Sequence, residues 1–479
     1  MIKLLLLSSI FILGTLLSQA QWQPDVRLTN DPSVSQSLSN RCVASSGDTV
    51  HVVWRDFREV QHSEIYYKRT TDGGVSWGQD IRLTIKYQVI INGGVYQESL
   101  FPSVAVSGPV VHVLWVDERD GNYEIYYKRS TDGGTSWGTD TRLTDDPGSS
   151  WGSSVTVSGS TVHVIWSDDR DGNDEIYYKR STDSGANWGP DTRLTNNSVD
   201  LDRPSVTVSG SDVFVAWADN RDGNYEIYYK RSSDTGLTWG SDTRLTNNPL
   251  QSYSPAVSVI GSTVNVVWED DRNGNYSDIY LKRSTDAGIS WGTDTRLTNS
   301  SPHDSHNSSV AASGAVVSVV WYDNRDGNYE IYCQRSTDGG ASWGADTRLT
   351  NNFGYSQYPS IALSGTAVHV VWQESRDGND EIYYKRNPTG DVVGLKEFSS
   401  TDMPFIISPN PASREIKVRS LENINEITVI DMHGKEIYQS KNLNPGQEFN
   451  IPTFDFPVGI YFIQVKKGKS ISVQKFIKQ

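Results

Sequence analysis

Ser130-Thr131-Asp132-Gly133-Gly134-Thr135-Ser136-Trp137 is one copy of a pattern, Ser/Thr-x-Asp-x-Gly-x-x-Trp, that recurs at Thr70–Trp77, Ser181–Trp188, Ser232–Trp239, Ser284–Trp291 and Ser336–Trp343. Its aspartates are Asp72, Asp132, Asp183, Asp234, Asp286 and Asp338. The chemistry is that of a turn. A short Asp side chain accepts hydrogen bonds from its own turn's N–H groups, and the glycine can take φ > 0. The Trp then returns a large apolar ring over the base of the hairpin.

Each copy follows an aromatic strand such as Glu124-Ile125-Tyr126-Tyr127-Lys128-Arg129 and precedes a short one such as Asp140-Thr141-Arg142-Leu143-Thr144. A second landmark is a Trp ending a Val-rich strand, at Trp54, Trp115, Trp166, Trp217, Trp268, Trp321 and Trp372. It recurs at a step of about fifty residues, with the longest gap between Trp54 and Trp115. Four strands fit in each step: Val155–Ser158, Thr161–Trp166, Glu175–Arg180 and Asp191–Thr195 in the third unit. The period and the strand count predict an all-β chain whose main domain is a seven-bladed β-propeller. Asp25-Val26-Arg27-Leu28-Thr29 is a fourth strand with no unit ahead of it, and the seventh unit ends at Arg386 without one. The last blade is therefore expected to be closed by the N-terminal strand, which hides two sheet edges.

The six turn motifs resemble the Asp box, or BNR repeat, of the sialidase superfamily. The resemblance implies a sialidase-like propeller with ligands on the face opposite the Asp boxes. It also raises the alternative of a sialidase-like exo-glycosidase, whose site would hold three arginines, a Tyr–Glu pair and an Asp. The Arg-Ile-Pro opening of that family is missing. Arg41 and Arg203 are its nearest echoes and the weak catalytic candidates. The Arg, Tyr and Glu positions look alike in every unit, which favours a scaffold, so no catalytic set is assigned.

The chain has 479 residues and a net charge of −15, which with no basic stripe excludes a nucleic-acid partner. No HExxH, CxxC pair or phosphate-cradling loop occurs, so zinc hydrolase and nucleotide-binding readings have no support. Residues 1–20 read as a secretory signal peptide, with Lys3, the apolar run Leu4–Leu17 and Ser18-Gln19-Ala20. No other stretch reads as a membrane span. Cys42 and Cys333 fall in units that are not neighbours and are expected to be free, buried thiols.

The propeller is assigned to 21–387, a linker to 388–403 and a small β-sandwich to 404–479. In the last segment Ser408-Pro409-Asn410-Pro411, Glu426–Asp431, the turn Met432-His433-Gly434 and Gly459-Ile460-Tyr461-Phe462-Ile463-Gln464-Val465 stand in order. They are similar to the type A sorting domain of the type IX secretion system of Bacteroidetes. The resemblance implies passage through both membranes, handling by that machinery, and a cell-surface or extracellular location.

The loop between second and third strands repeats as Asp-x-Arg-Asp-Gly-Asn-x-Glu. Asp117, Asp120 and Glu124 are its candidate metal ligands, since Asp-Gly-Asn with nearby carboxylates supplies oxygens for calcium. The interleaved Arg119 is a poor neighbour for a cation, so a turn stitched by Asp–Arg pairs is preferred and no cofactor is assigned. The connections between units differ, and they offer Trp151, Arg203, Tyr253, His303, His306, Tyr355 and Tyr358 as a ligand rim, with Ile85–Leu100 the longest. Aromatic faces beside polar groups suit sugar rings. The expected function is non-catalytic recognition, of a glycan or of a surface protein for which the ring is a scaffold.

Overall fold

The structure is a computed structural model that describes residues 22–37, 39, 41–58, 62–84, 98–196, 201–274, 276–299, 302–389, 405–408, 412–420, 424–431, 435–443, 448–467 and 470–478. The expected signal peptide, Asn40, the 85–97 part of the first long loop, most of the expected linker, Pro409–Pro411 and the turn at 432–434 lie outside these. Every described element is a strand, and the strands fall in two compact units.

The larger unit is a propeller-type array of seven antiparallel sheets, numbered here one to seven along the chain. In the third, Ser150–Ser158, Thr161–Asp168, Glu175–Ser181 and Thr192–Arg193 lie side by side in sequence order. The second strand is buried on both faces: Val162, Val164 and Trp166 point one way, and His163, Ile165 and Ser167 the other. A strand covered on both sides reads as a continuous apolar run, which is why Thr-Val-His-Val-Ile-Trp alternates so weakly. Trp166 is fully buried, stacks on Tyr177 at 5.9 Å and donates from Nε1 to Asp168 at 2.7 Å.

Neighbouring sheets are stitched by repeated contacts. Lys179 donates to the carbonyl of Leu143 in the preceding unit, as Lys128 does to Leu83 and Lys230 to Leu194. The Asp box of one unit packs on the third-strand Tyr of the unit before it. Trp137 meets Tyr67 edge-on at 4.9 Å, and a Cβ on Gly134 would overlap the Tyr67 hydroxyl. Inside the box, Asp132 Oδ1 accepts from the N–H of Thr135 and Ser136, both at 2.9 Å. These bonds and that from the Ser136 hydroxyl hold the Asp132 pKa well below the usual carboxylate range.

The N-terminal strand Val26–Arg27 pairs with Glu381–Asn387 in the seventh sheet, Val26 opposite Tyr384. Lys68 of the first unit donates to Leu28, and Trp77 meets Tyr384 at 4.8 Å, so first and last units share the contacts that join the others. Cys42 and Cys333 are unpaired and buried.

The smaller unit has two sheets around one core. Phe405–Ser408, Glu415–Ser420 and Glu448–Pro452 form one, and Ile424–Asp431, Glu436–Leu443, Gly459–Lys467 and Ser470–Lys478 the other. Ile416, Val418, Ile427, Val429, Ile451, Ile463 and Phe476 fill the space between them.

Candidate functional site

The first strands of sheets two to seven all break register at one place. The breaks lie between Leu100 and Ser103, Trp151 and Ser154, Asp202 and Ser205, Tyr253 and Ala256, His306 and Ser309, and Gln357 and Ser360. At each bulge one residue turns to positive φ: Phe101 (50°), Gly152 (59°), Arg203 (49°), Ser254 (53°), Asn307 (48°) and Tyr358 (51°). A left-handed backbone costs about 1–3 kcal/mol for a residue such as Phe or Tyr, and such strain gathers at binding sites. The frame is constant in these six sheets and the residue on it is different in each.

These bulges open on one pocket of about 360 Å³, to which every unit contributes. Ser39 comes from the first, Phe101 from the second, Trp151 and Ser153 from the third, and Arg203 from the fourth. Ser254, Asn307 and Tyr358 come from the fifth to the seventh. It lies at the ends of the first strands away from the Ser-Gly turns, on the side of the inter-unit connections. Trp151 is 44% exposed and Phe101 36%, so two apolar faces stand open beside polar groups. Among the described residues no carboxylate or imidazole is in the lining.

Arg203 donates from Nη1 to Ser254 Oγ and to Asn307 Oδ1, both at 3.0 Å. Asn307 in turn donates from Nδ2 to Tyr322 OH at 3.1 Å, and its N–H donates to Glu269 at 2.9 Å. His306 Nδ1 lies 2.8 Å from the other Glu269 oxygen. Burial alone would lower the His306 pKa, but the bond and charge of Glu269 outweigh it and raise it. Burial also raises the hydroxyls of Tyr253 and Tyr322, with the nearby charge of Glu269 adding to the effect. Arg41 reaches the same strand as Arg203, donating from Nη2 to Ser205 Oγ at 3.1 Å and to the Val257 carbonyl at 3.3 Å. It keeps some surface open but is enclosed by protein, and that desolvation lowers its pKa to about 10.

Of the expected rim, Trp151, Arg203 and Tyr358 line the pocket. His306 and Tyr253 stand behind it, the latter hydrogen-bonded to Ser277 at 2.8 Å. Tyr355 sits against Tyr329 at 6.1 Å, and neither it nor His303 is in the lining. The residues the sequence reading missed are Phe101, Ser254, Asn307 and Glu269. The uniformity of the units, taken above as the mark of a scaffold, is not complete. The position after each landmark Trp reads Arg55, Val116, Ser167, Ala218, Glu269, Tyr322 and Gln373. Comparing the units column by column would have found it.

The metal candidates have other partners. Asp117 accepts from Trp115, Ser99 and Arg119 at 2.8, 3.0 and 2.8 Å. Asp120 accepts from Tyr126, and Glu124 from Asn122 at 3.0 Å and Arg142 at 2.7 Å. Among the described residues no cluster of His, Cys, Asp and Glu is arranged to hold a metal ion. No helix there is long and apolar enough to cross a membrane.

The sequence model of a family described as a BNR repeat-like domain matches residues 115–370, and one described as a secretion system C-terminal sorting domain matches 407–479. No curated protein matches significantly. Among solved structures, an ulvan lyase from a new family of polysaccharide lyases is similar at a TM-score of 0.52 and 10% identity, over 75% of this chain and 95% of that one. A Hadza microbial sialidase gives 0.47 and 16%, over 71% and 74%, and Trypanosoma rangeli sialidase 0.44 and 12%, over 80% and 84%. At such identities the likeness is one of fold.

Proposed function

The chain belongs to the BNR repeat-like family, and we propose that it is a recognition module which binds a glycan in the shared pocket without cleaving it. Its sorting domain marks it for export by the type IX secretion machinery, to the cell surface or the extracellular space. In this reading the seven sheets are the seven blades of one propeller, completed by the N-terminal strand, and the pocket lies on its axis.

The observation that carries the proposal is the pocket lining. Trp151, Phe101 and Tyr358 offer faces on which the C–H side of a sugar ring can stack, beside Arg203, Asn307 and seryl hydroxyls that can bond its substituents. General acid–base work needs a group within hydrogen-bond reach of the substrate. Glu269, an acid bonded to the lining residue Asn307, spends both oxygens on His306 and the Asn307 N–H.

A glycosidase reading draws on that same Glu269 with Tyr253 and Tyr322. Two arginines, Arg41 and Arg203, meet the strand Leu201–Ser209, where a sialidase-like site would bring three. The deciding experiment puts the full chain on a glycan array and, in parallel, against a fluorogenic sialoside and a panel of aryl glycosides. Retention without turnover is the expected result. Turnover abolished by Glu269→Gln would overturn it in favour of an enzyme, and silence in both assays would leave a protein partner.

A further inference from the structure

Ser153, Ser154, Ser167 and Ser308 line the pocket with exposures of 6, 3, 2 and 1%, and their hydroxyls have no hydrogen-bond partner within the protein. A buried hydroxyl left unpaired costs about 1–3 kcal/mol, so native proteins carry few of them. Four around one cavity is the arrangement of a site whose bonds are completed by a ligand. Three come from the third sheet and one from the sixth, so the donors approach from more than one wall.

Among the described lining residues the one charged side chain is Arg203, and none is acidic. Arg41 adds a second cation at Ser205, one residue beyond the lining Pro204, and its bonds go to neutral oxygens. An arginine in the lining, with a second bonded to the same strand just beyond it, and hydroxyls around the cavity make a seat for an oxyanion. The form of the arginine narrows the choice. A planar carboxylate is best met by two parallel N–H groups of one guanidinium. Arg203 has committed both hydrogens of Nη1, to Ser254 and Asn307, so its end-on pair is spent. A tetrahedral group with three terminal oxygens suits single donors converging from several walls.

Resting on the glycan reading above, we propose that the group seated in this pocket is a sulfate ester carried on a sugar residue. Arg203 and the four hydroxyls hold its oxygens, Arg41 supports the charge from Ser205, and the ring carrying the ester stacks on Trp151 over the side-chain-free Gly152.

The test is isothermal titration of the full chain with chondroitin 4-sulfate and κ-carrageenan oligosaccharides, each against its chemically desulfated form, and with oligogalacturonate as a carboxylate probe. The expected result is at least tenfold tighter binding of a sulfated member than of its desulfated partner. Arg203→Asn is compatible with the backbone, since Asn307 holds the same φ in the sixth sheet. It and Ser308→Ala should each weaken the sulfated ligand several-fold more than they weaken the desulfated one. Equal affinity within each pair, or preference for oligogalacturonate, overturns the sulfate assignment and leaves glycan recognition standing. Binding to no glycan on the array or in titration removes both.

Discussion

Arg203 in the fourth sheet donates at 3.0 Å to the side-chain oxygen of Asn307 in the sixth, with Ser254 of the fifth at the same distance. Three bulge residues of three successive sheets are thus one unit, and Asn307 is its hub, because Tyr322 fixes its amide and Glu269 its N–H. The pocket is made by side chains that hold one another more than by the backbone that presents them.

Asn307→Gly isolates that hub. Glycine accepts φ near 48° at no steric cost, so the backbone is spared while the amide is lost. The variant should melt within about 2 °C of the parent and bind its glycan about tenfold more weakly, since loss of one or two bonds of about 1 kcal/mol each is at stake. Unchanged affinity by titration calorimetry would mean that Arg203 does not depend on Asn307 for its position.

The frame was open to reading in the sequence because each of its parts has a strong local signature. Asp132 needs its own turn, Gly134 must clear Tyr67, and Trp166 needs Asp168 two residues on. The pairing of Val26 with Tyr384 was legible for the same reason, as an orphan fourth strand with one vacant place. The bulges were not. Phe, Arg and Tyr carry no preference for left-handed backbone, so nothing at Phe101, Arg203 or Tyr358 announces the turn that aims them at a common pocket. The partners of Arg203 lie in other sheets, and only the fold brings them together.

Two glycines separate backbone strain from contact. Gly121 in a second-to-third strand loop and Gly74 in an Asp box both have positive φ, 99° and 89°. A Cβ on Gly121 meets nothing within 4 Å, whereas one on Gly74 would overlap the Tyr384 ring of the seventh unit. Gly121→Ala should cost about 1 kcal/mol from backbone alone. Gly74→Ala adds an overpacking penalty of about 1–3 kcal/mol and should loosen the junction of first and last units. Chemical denaturation of the two variants checks the order, and equal costs would mean that this junction is soft.

Calcium bears on the same loops. Because Asp117 and Glu124 are saturated by Arg119, Arg142 and their neighbours, removal of calcium with a chelator should leave the melting temperature unchanged to within about 1 °C. Arg119→Met, which strands the buried Asp117, should instead destabilise by about 3 kcal/mol or more. A chelator-induced drop of several degrees, restored by added calcium, would assign a metal to these loops.

Acid should be the condition the larger unit tolerates least, because of four histidines outside the pocket. His51, His112, His163 and His369 are buried, each with Nδ1 2.7–2.8 Å from a Tyr hydroxyl. Burial, with a neighbouring arginine adding to it, lowers each from 6.5 to about 4. A histidine depressed in the folded state is protonated first in the unfolded chain. Its contribution is therefore complete above pH 6.5, declines as pH falls toward 4, and is level below that. Each is worth about 3 kcal/mol at full effect, so the four together predict a steep loss of stability between pH 6 and 4. The fourth unit shows how to remove one term: Phe214 occupies the corresponding place and stacks on Tyr229 at 6.3 Å. His163→Phe should flatten the acid limb of a denaturation-midpoint profile measured from pH 7 to 4, and leave the midpoint at pH 7 nearly where it was. A profile as steep as the parent's would place the acid sensitivity elsewhere.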